Sequence, residues 1–475
     1  MKRLKMCLVF SVVVLVFGAA AFAQNGRPLT LKECIDMALR DNSAVRNSER
    51  QRQLAGVNVM TARSEILPRV NTSFYSGKFR RGDQQTVDIV PTEWQTVAAP
   101  VLARNLVDTI GVFPLRGAPT AYARQDYTID GFIVNSNSAR VNLSWTPFDF
   151  GQSWNRIRAA NVSEDASQKS YEATQQTTIL QVQQRYFEHL KALRLLEVQQ
   201  EAVKSNEEQL KRTESMYEIG SVAQGDVFKQ RTVLGNSRIS LIRQQNAAAN
   251  TRASLNVALA RDPHAELNIL DIEESGERDD YKLDEVLKVA LEKNPDLKSL
   301  EKNMRSADLE VKAAKLNYLP SVTLSASYDR QNPAFNQVYS GFKQNYNLSY
   351  GVSLSFNLFN GFTDQAQVER QSLNYGIAQE NLADRERTLR LEAEQALLTL
   401  QAAKEITAIN EDNLKSAEED LRLAQERYRV GAGTLLDIIT AQFNLTNAQA
   451  TWVSAKYDMM IARAQLKAAM GTLEK

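Results

Sequence analysis

Apolar and polar positions keep two different rhythms along this chain, and each rhythm has its own territory. Between Gly151 and Glu218 no proline or glycine interrupts the sequence, and from Gly361 to Val430 only Gly376 does. Such stretches predict helices of about 67 residues, rods of roughly 100 Å at 1.5 Å per residue. Each is followed by a shorter helical stretch, from about Asp226 to Ala260 and from Asp437 to Met470. On the last of these Ile438, Leu445, Trp452, Met459 and Leu466 recur every seven residues, and Ala441, Ala448, Ala455, Ala462 and Ala469 form a second stripe. A large stripe beside an all-alanine one predicts a closely packed coiled coil. Elsewhere the period drops to two. Val70–Tyr75, Arg140–Trp145, Val322–Tyr328 and Leu348–Phe356 alternate apolar or aromatic residues with Ser, Asn or Thr, and these read as four β-strands.

The elements are one unit written twice. Leu31–Asn42 matches Leu283–Asn294 at an offset of 252, which persists to Leu67-Pro68 and Leu319-Pro320. Val141–Phe148 matches Val352–Phe359 at an offset of 211, and that register still relates Tyr217, Gly220, Asp226 and Leu255 to Tyr428, Gly431, Asp437 and Leu466. The change of offset localises a 41-residue insertion in the first copy, between Pro68 and Val141. The expected organisation is a first repeat over 24–262, with strands near 70–76 and 139–148, an outward loop over 77–138 and a helical hairpin over 152–260. A linker or equatorial segment follows over 263–282, opened by Pro263 and acidic around Asp271–Glu277. The second repeat covers 283–475, with strands near 321–329 and 347–359 and a hairpin over 362–471. The insertion, rich in proline and carrying Trp94, reads as a structured loop. In the first copy the positions matching the alanine stripe are Gln230, Ser237, Gln244, Thr251 and Ala258. The two hairpins are therefore built alike for different surroundings.

Four strands are too few for a barrel, which needs about eight. Open strand edges are not tolerated in lipid. If these strands span a membrane, several chains must share one barrel; three chains give twelve strands.

The N-terminus supports export. Lys2, Arg3 and Lys5, an apolar run from Leu8 to Phe17, and Ala21-Phe22-Ala23 have the layout of a signal peptide over 1–23. No later stretch is apolar enough for a membrane helix. Without the leader's three basic residues, 54 Lys and Arg stand against 56 Asp and Glu, a balance that argues against a nucleic-acid partner. Cys34 is the single cysteine of the mature chain, too far from the cleavage point to be a lipidated N-terminus, and reads as a small apolar helix residue. It leaves no disulfide and no cysteine metal site. His189 and His264 read as surface residues, and no H-E-x-x-H, nucleophile elbow or P-loop is present. An enzyme is not expected, and neither is a metal or other cofactor.

The hairpin turns carry the specific signal. The second copy reads Tyr428-Arg429-Val430-Gly431-Ala432-Gly433-Thr434-Leu435-Leu436-Asp437, and the first Tyr217-Glu218-Ile219-Gly220-Ser221-Val222-Ala223-Gln224-Gly225-Asp226. Gly220 and Gly431 stand where a helix ends and a positive φ is needed. Asp226 and Asp437 stand near the start of the returning helix, where a carboxylate is favourable. These turns, the Leu-Pro before each first strand, and Gly151 and Gly361 make the chain similar to the TolC family of outer-membrane efflux proteins over essentially its whole mature length.

That resemblance implies a mainly α fold with a small β part. It implies a homotrimer with a 12-stranded barrel in outer-membrane lipid and an α-helical tunnel in the periplasm of a Gram-negative bacterium. The channel is then a passive exit duct joined to a periplasmic adaptor and an inner-membrane pump of the RND or ABC type. It further implies a pore constriction at Asp437, with Thr440 where the family often has a second acid. Gly433 stands where the family's best-known member has a latching arginine, so the expected tip latch is a Tyr428–Asp226 hydrogen bond. Gly220, Gly225, Gly431, Gly433 and Leu435 fall on the tips that resemble the adaptor-docking surface. The competing reading is a coiled-coil structural protein of the cell envelope without a transport role, which predicts continuous heptads and no strand quartet.

Overall fold

The computed structural model describes residues 28–102, 109–272 and 280–473, so the signal peptide lies outside the described residues. The chain divides into a helical unit (up to Arg63, 151–317 and from 359 onward) and a β unit (64–150 and 318–358).

In the helical unit each copy contributes a short helix pair and a long hairpin. The first copy has α1 (Leu31–Asp41), α2 (Ser43–Ser64), α3 (Gln152–Glu218) and α4 (Gln224–Ala258). The second has α5 (Leu283–Lys293), α6 (Pro295–Lys315), α8 (Thr363–Arg429) and α9 (Leu435–Ala469), with α7 a four-residue turn of helix, Phe335–Val338, in the β unit. The long helices have 67 residues in both copies and the return helices 35.

The repeated Asn shows why the pattern recurs. Asn42 accepts from the Ala44 amide (2.8 Å) and donates to the Ala258 carbonyl (3.2 Å) at the end of α4. Asn294 caps α6 by accepting from Asp296 and Leu297, and donates to the Ala469 carbonyl (3.4 Å) at the end of α9. One side chain thus starts one helix and ties down the end of another. Two apolar cores sit at the short helices. Cys34, Ile35 and Ala38 of α1 pack with Ile179, Val182 and Tyr186 of α3 and with Leu255, Val453 and Tyr457. Val286 and Ala290 of α5 pack with Leu389, Ala393 and Leu397 of α8 and with Met459 and Leu466. Cys34 is fully buried, as a small apolar residue should be, and burial pushes its thiol up to about 12.

The linker is partly built in. Leu29 forms a parallel bridge with Ile269, and Asp271 receives Arg194 (2.6 Å) and the Tyr457 hydroxyl (3.0 Å).

In the β unit, β1 (Arg69–Arg81), β4 (Phe132–Phe148), β5 (Ser321–Asn332) and β6 (Tyr346–Ser355) form one antiparallel sheet in the order β1-β4-β5-β6. The β4–β5 pairing joins the two copies. The last strand ends at Ser355, short of the expected Phe359. The expected loop over 77–138 is instead largely strand. It extends β1 and β4 and holds a second hairpin, β2 (Gln84–Leu102) with β3 (Thr109–Ile129). Its prolines predict a loop, but β2 and β3 form a two-stranded ribbon in which each strand is an edge, where a missing amide is tolerated, and Pro91 lies at a register irregularity as well. Gly131, whose amide donates to Asp83 (2.7 Å), closes the base of this hairpin.

Register aligns the sheet's two faces. Val70, Thr72 and Phe74 stand opposite Leu143, Val141 and Ala139. Leu143, Val141 and Trp145 stand opposite Ala326, Tyr328 and Leu324, and these in turn opposite Tyr350, Leu348 and Val352. Directly paired residues share a face, so one side of all four strands is apolar. That side is exposed in the single chain, with Tyr350 at 83% and Val352 at 71%. The other side is polar, with an Arg140–Asp329 ion pair and a Ser327–Ser349 hydroxyl contact of 2.8 Å. The outer edges of β1 and β6 have no strand partner among the described residues.

Candidate functional site at the hairpin turns

The turns of the two hairpins are the same structure. In the first, the Gly220 amide donates to the Tyr217 carbonyl (2.9 Å) and the Ser221 amide to that of Met216 (2.8 Å). In the second, Gly431 donates to Tyr428 (3.1 Å) and Ala432 to Arg427 (2.8 Å). This paired closure uses up the orphan carbonyls of the ending helix and demands a left-handed residue. The two glycines supply it at φ +77° and +78°.

The returning helices differ. α9 opens with a reciprocal cap, in which the Asp437 amide donates to Thr434 Oγ1 (3.3 Å) and the Asp437 carboxylate accepts from the Thr434 amide (2.7 Å) and hydroxyl (2.9 Å). Those bonds, and then nearby Arg427, hold the carboxyl below the usual range, so it is ionised near neutrality. Asp437 and Thr440 are both exposed on this chain. α4 has no side-chain cap, and Asp226 in its first turn pairs with Lys229 (3.3 Å).

The expected Tyr428–Asp226 hydrogen bond is not made in this chain. The half-buried Tyr428 hydroxyl meets Met216 Sδ at 3.6 Å. Burial, and then the charge of Asp226, raises the phenol above its ordinary value, which puts the two side chains in one neighbourhood without direct contact. Of the expected tip residues Gly220, Gly225 and Gly431 are exposed and have open space above the Cα, and Gly433 packs on the Tyr428 backbone. Leu435 departs from expectation: it is only 7% exposed, its side chain turned into the hairpin rather than out to a partner.

Above the tips the polar stripe of α4 meets its partners on α3. Gln230 donates to Asn206, Asn206 to Ser237 (2.9 Å), and Gln244 to the Ala192 carbonyl (3.0 Å). Thr251 contacts His189 Nδ1 (3.0 Å). His189 is therefore no surface residue: it is 2% exposed, and burial, with nearby Arg252 adding, pushes its pKa down to about 4. The signal was available in the sequence, because Thr251 belongs to the same polar stripe. On α9 the alanine stripe does what alanine allows, and Thr407 of α8 reaches the Ala455 carbonyl at 3.2 Å. Thr440, Asn236, Gln442 and Asn447 line a groove between α9 and the first hairpin together with Val233, Ile439 and Phe443.

Comparison with known proteins follows this geometry. The family model for outer membrane efflux proteins matches residues 34–261 and 286–472. The chain is 25% identical over 385 residues to the outer membrane protein TolC of Escherichia coli K12, covering 76% of this chain and 74% of that one. It is similar in fold to the CmeC outer membrane channel of Campylobacter jejuni (TM-score 0.72, 18% identity, 93% of this chain and 85% of that one). It is similar too to the open state of the MtrE outer membrane channel of Neisseria gonorrhoeae (TM-score 0.70, 17% identity, 93% and 88%). With both repeats matched, the chain belongs to the outer membrane efflux protein family.

Proposed function

We propose that this chain is one subunit of a homotrimeric outer-membrane channel, the passive exit duct of a multi-component efflux or secretion system. The observation that carries the reading is the four-stranded sheet with one mostly apolar face, its few polar residues near one end, and two open edges. A soluble sheet buries such a face, and lipid forbids the open edges. Because β1 and β6 run antiparallel at the two edges, β6 of one copy continues the alternation onto β1 of the next, and three copies close twelve strands. The apolar face then meets lipid, and the Ser- and Asn-rich face meets water. A coiled-coil structural protein of the envelope has no use for this sheet.

In this reading the helices form the wall of a periplasmic tunnel, and three Asp437 carboxylates form an acidic ring at its inner end, with Thr440 one turn further. The exposed turns at Gly220 and Gly431 receive the hairpin of a periplasmic adaptor, which links the duct to an inner-membrane pump. The chain carries out no catalysis; it conducts.

Single-channel recording in planar bilayers tests the proposal. The purified trimer is expected to insert and to conduct in discrete steps. A properly assembled trimer that never inserts or conducts overturns it.

A further inference from the structure

The segment between β5 and β6, 333–345, lies on the apolar face of the sheet, and its side chains are arranged against the usual logic of a loop. Register places Arg330 on that face, in the row Phe74, Ala139, Arg330, Tyr346. The preceding residues of β5 on the same face are Val322, Leu324, Ala326 and Tyr328. Arg330 is nonetheless only 4% exposed, because the segment folds back over it. Its Nη2, with two hydrogens to give, is ringed by the carbonyls of Ser340 (2.6 Å), Gln337 (3.0 Å), Gly341 (3.2 Å) and Gln344 (3.4 Å). The guanidinium also lies 5.0 Å from the Phe342 ring centre.

A second polar residue on this face works in the same way. Asn137, 6% exposed, donates to the Pro333 carbonyl (2.8 Å) and accepts from the Ser76 hydroxyl (2.7 Å). The Tyr328 hydroxyl donates to the Phe342 carbonyl (2.8 Å), and Val338 is buried beneath the segment. The backbone of the flap is thus turned inward onto Arg330, Asn137 and Tyr328. Its aromatic rings are turned outward. Phe335 is 57% exposed, Phe342 65% and Tyr339 44%, with Tyr339 against Phe335 (5.1 Å) and against Phe74 of β1 (5.9 Å).

In water this arrangement is unfavourable, since the rings could cover apolar surface and the carbonyls could be hydrated. At a membrane boundary it is what the medium demands, with backbone polar groups satisfied internally and aromatic rings outside. The height agrees. From Tyr346 to Leu354 the apolar face of β6 runs about 27 Å along the strand, the length that a tilted membrane-spanning strand of about nine to eleven residues needs, and the flap sits at one rim of it. Exposed Lys343 lies on the flap beside Phe342.

We infer that 333–345 is a lipid-interface anchor, stapled to the barrel wall by Arg330 and seated through Phe335, Tyr339 and Phe342 in the headgroup–acyl boundary of the surrounding leaflet, with Lys343 at the level of the lipid phosphates. This rests on the reading of the sheet as membrane-spanning, and the test separates the two.

Cys34, fully buried and unreactive, leaves the mature chain free for site-directed spin labelling. Labels are placed by Phe342→Cys, by Val352→Cys within the apolar face and by Thr128→Cys on the β2–β3 hairpin, and the trimer is reconstituted in phospholipid vesicles. Collisions with dissolved oxygen and with a water-soluble nickel chelate give depth. The label at 342 is expected to be shallow but protected from the chelate, the label at 352 deep and protected, and the label at 128 open to the chelate. Adding Arg330→Met is expected to release the flap and open position 342 to the chelate. If position 342 is as open as 128 while 352 stays protected, the anchor is refuted and the barrel stands. If 342 is shielded from oxygen and chelate alike, a second chain covers it and the anchor is refuted. If 352 is itself open, the membrane reading falls and the anchor with it.

Discussion

His189 unfolds with a proton balance of its own. Its folded pKa of about 4 lies below the ordinary histidine value of 6.5, so between these pH values the unfolded chain binds a proton that the folded one refuses. The stability held by the neutral ring is complete above about pH 6.5 and is lost as the pH falls toward 4, by at most about 3 kcal/mol. His189→Gln is expected to flatten this acid limb of the stability profile, measured as the denaturant midpoint from pH 7 to 4; an unchanged slope refutes the assignment. Asp437 joins a structural role to a proposed functional one, and a single substitution separates them. Asn can still accept the Thr434 bonds, so Asp437→Asn is expected to shift helix-end stability by less than about 1 kcal/mol. It is expected to weaken block by divalent cations from the periplasmic side in bilayer recordings, and unchanged block removes the acidic ring. For His189 the sequence shows only half of the surroundings, the polar stripe of α4 that holds Thr251, and not that the two helices bring them together. His189 has a polar sequence neighbourhood and a buried place, because its partner Thr251 is 62 positions away.

At the scale of elements, the long helices, their turns and the four paired strands were legible because each rests on a local rule: period, cap or positive φ. The positive φ at Gly431 makes a direct test. Gly431→Ala puts a Cβ on a left-handed residue at about 1–2 kcal/mol, without disturbing the cores. Amide exchange at Ala432 and its neighbours is expected to accelerate while that at Leu397 stays slow; equal acceleration at both refutes a local closure. The β2–β3 hairpin escaped the pattern because its prolines mimic loop punctuation, whereas a two-stranded ribbon consists of edge strands that tolerate them. The inward turn of Leu435 and the Met216 contact of Tyr428 escaped for another reason, since both depend on which helix lies alongside. The second copy joins β5 to β6 with only 333–345 where the first has β2 and β3. Excising 84–129 is therefore expected to leave trimer assembly and conductance intact, and loss of either in bilayers gives the hairpin a part in the channel itself.

For the whole molecule the repeat matters more than either copy. β1 pairs with β4 and β5 with β6, each within its own copy, but the sheet is continuous only through β4 and β5. That seam brings together residues as far apart as Asn137 and Asn332, 195 positions along the chain. Its consequence is an order of events during biogenesis. Helices close on contacts three or four residues away and form quickly, whereas a strand pair separated by a whole hairpin carries a large loop-closure cost and forms late. The β4–β5 seam is therefore expected to close last, after the helices and after the within-copy pairs such as β5–β6. A sheet finished at one late seam stays in two halves until then, and pulsed amide exchange during refolding is expected to protect β6 before β4.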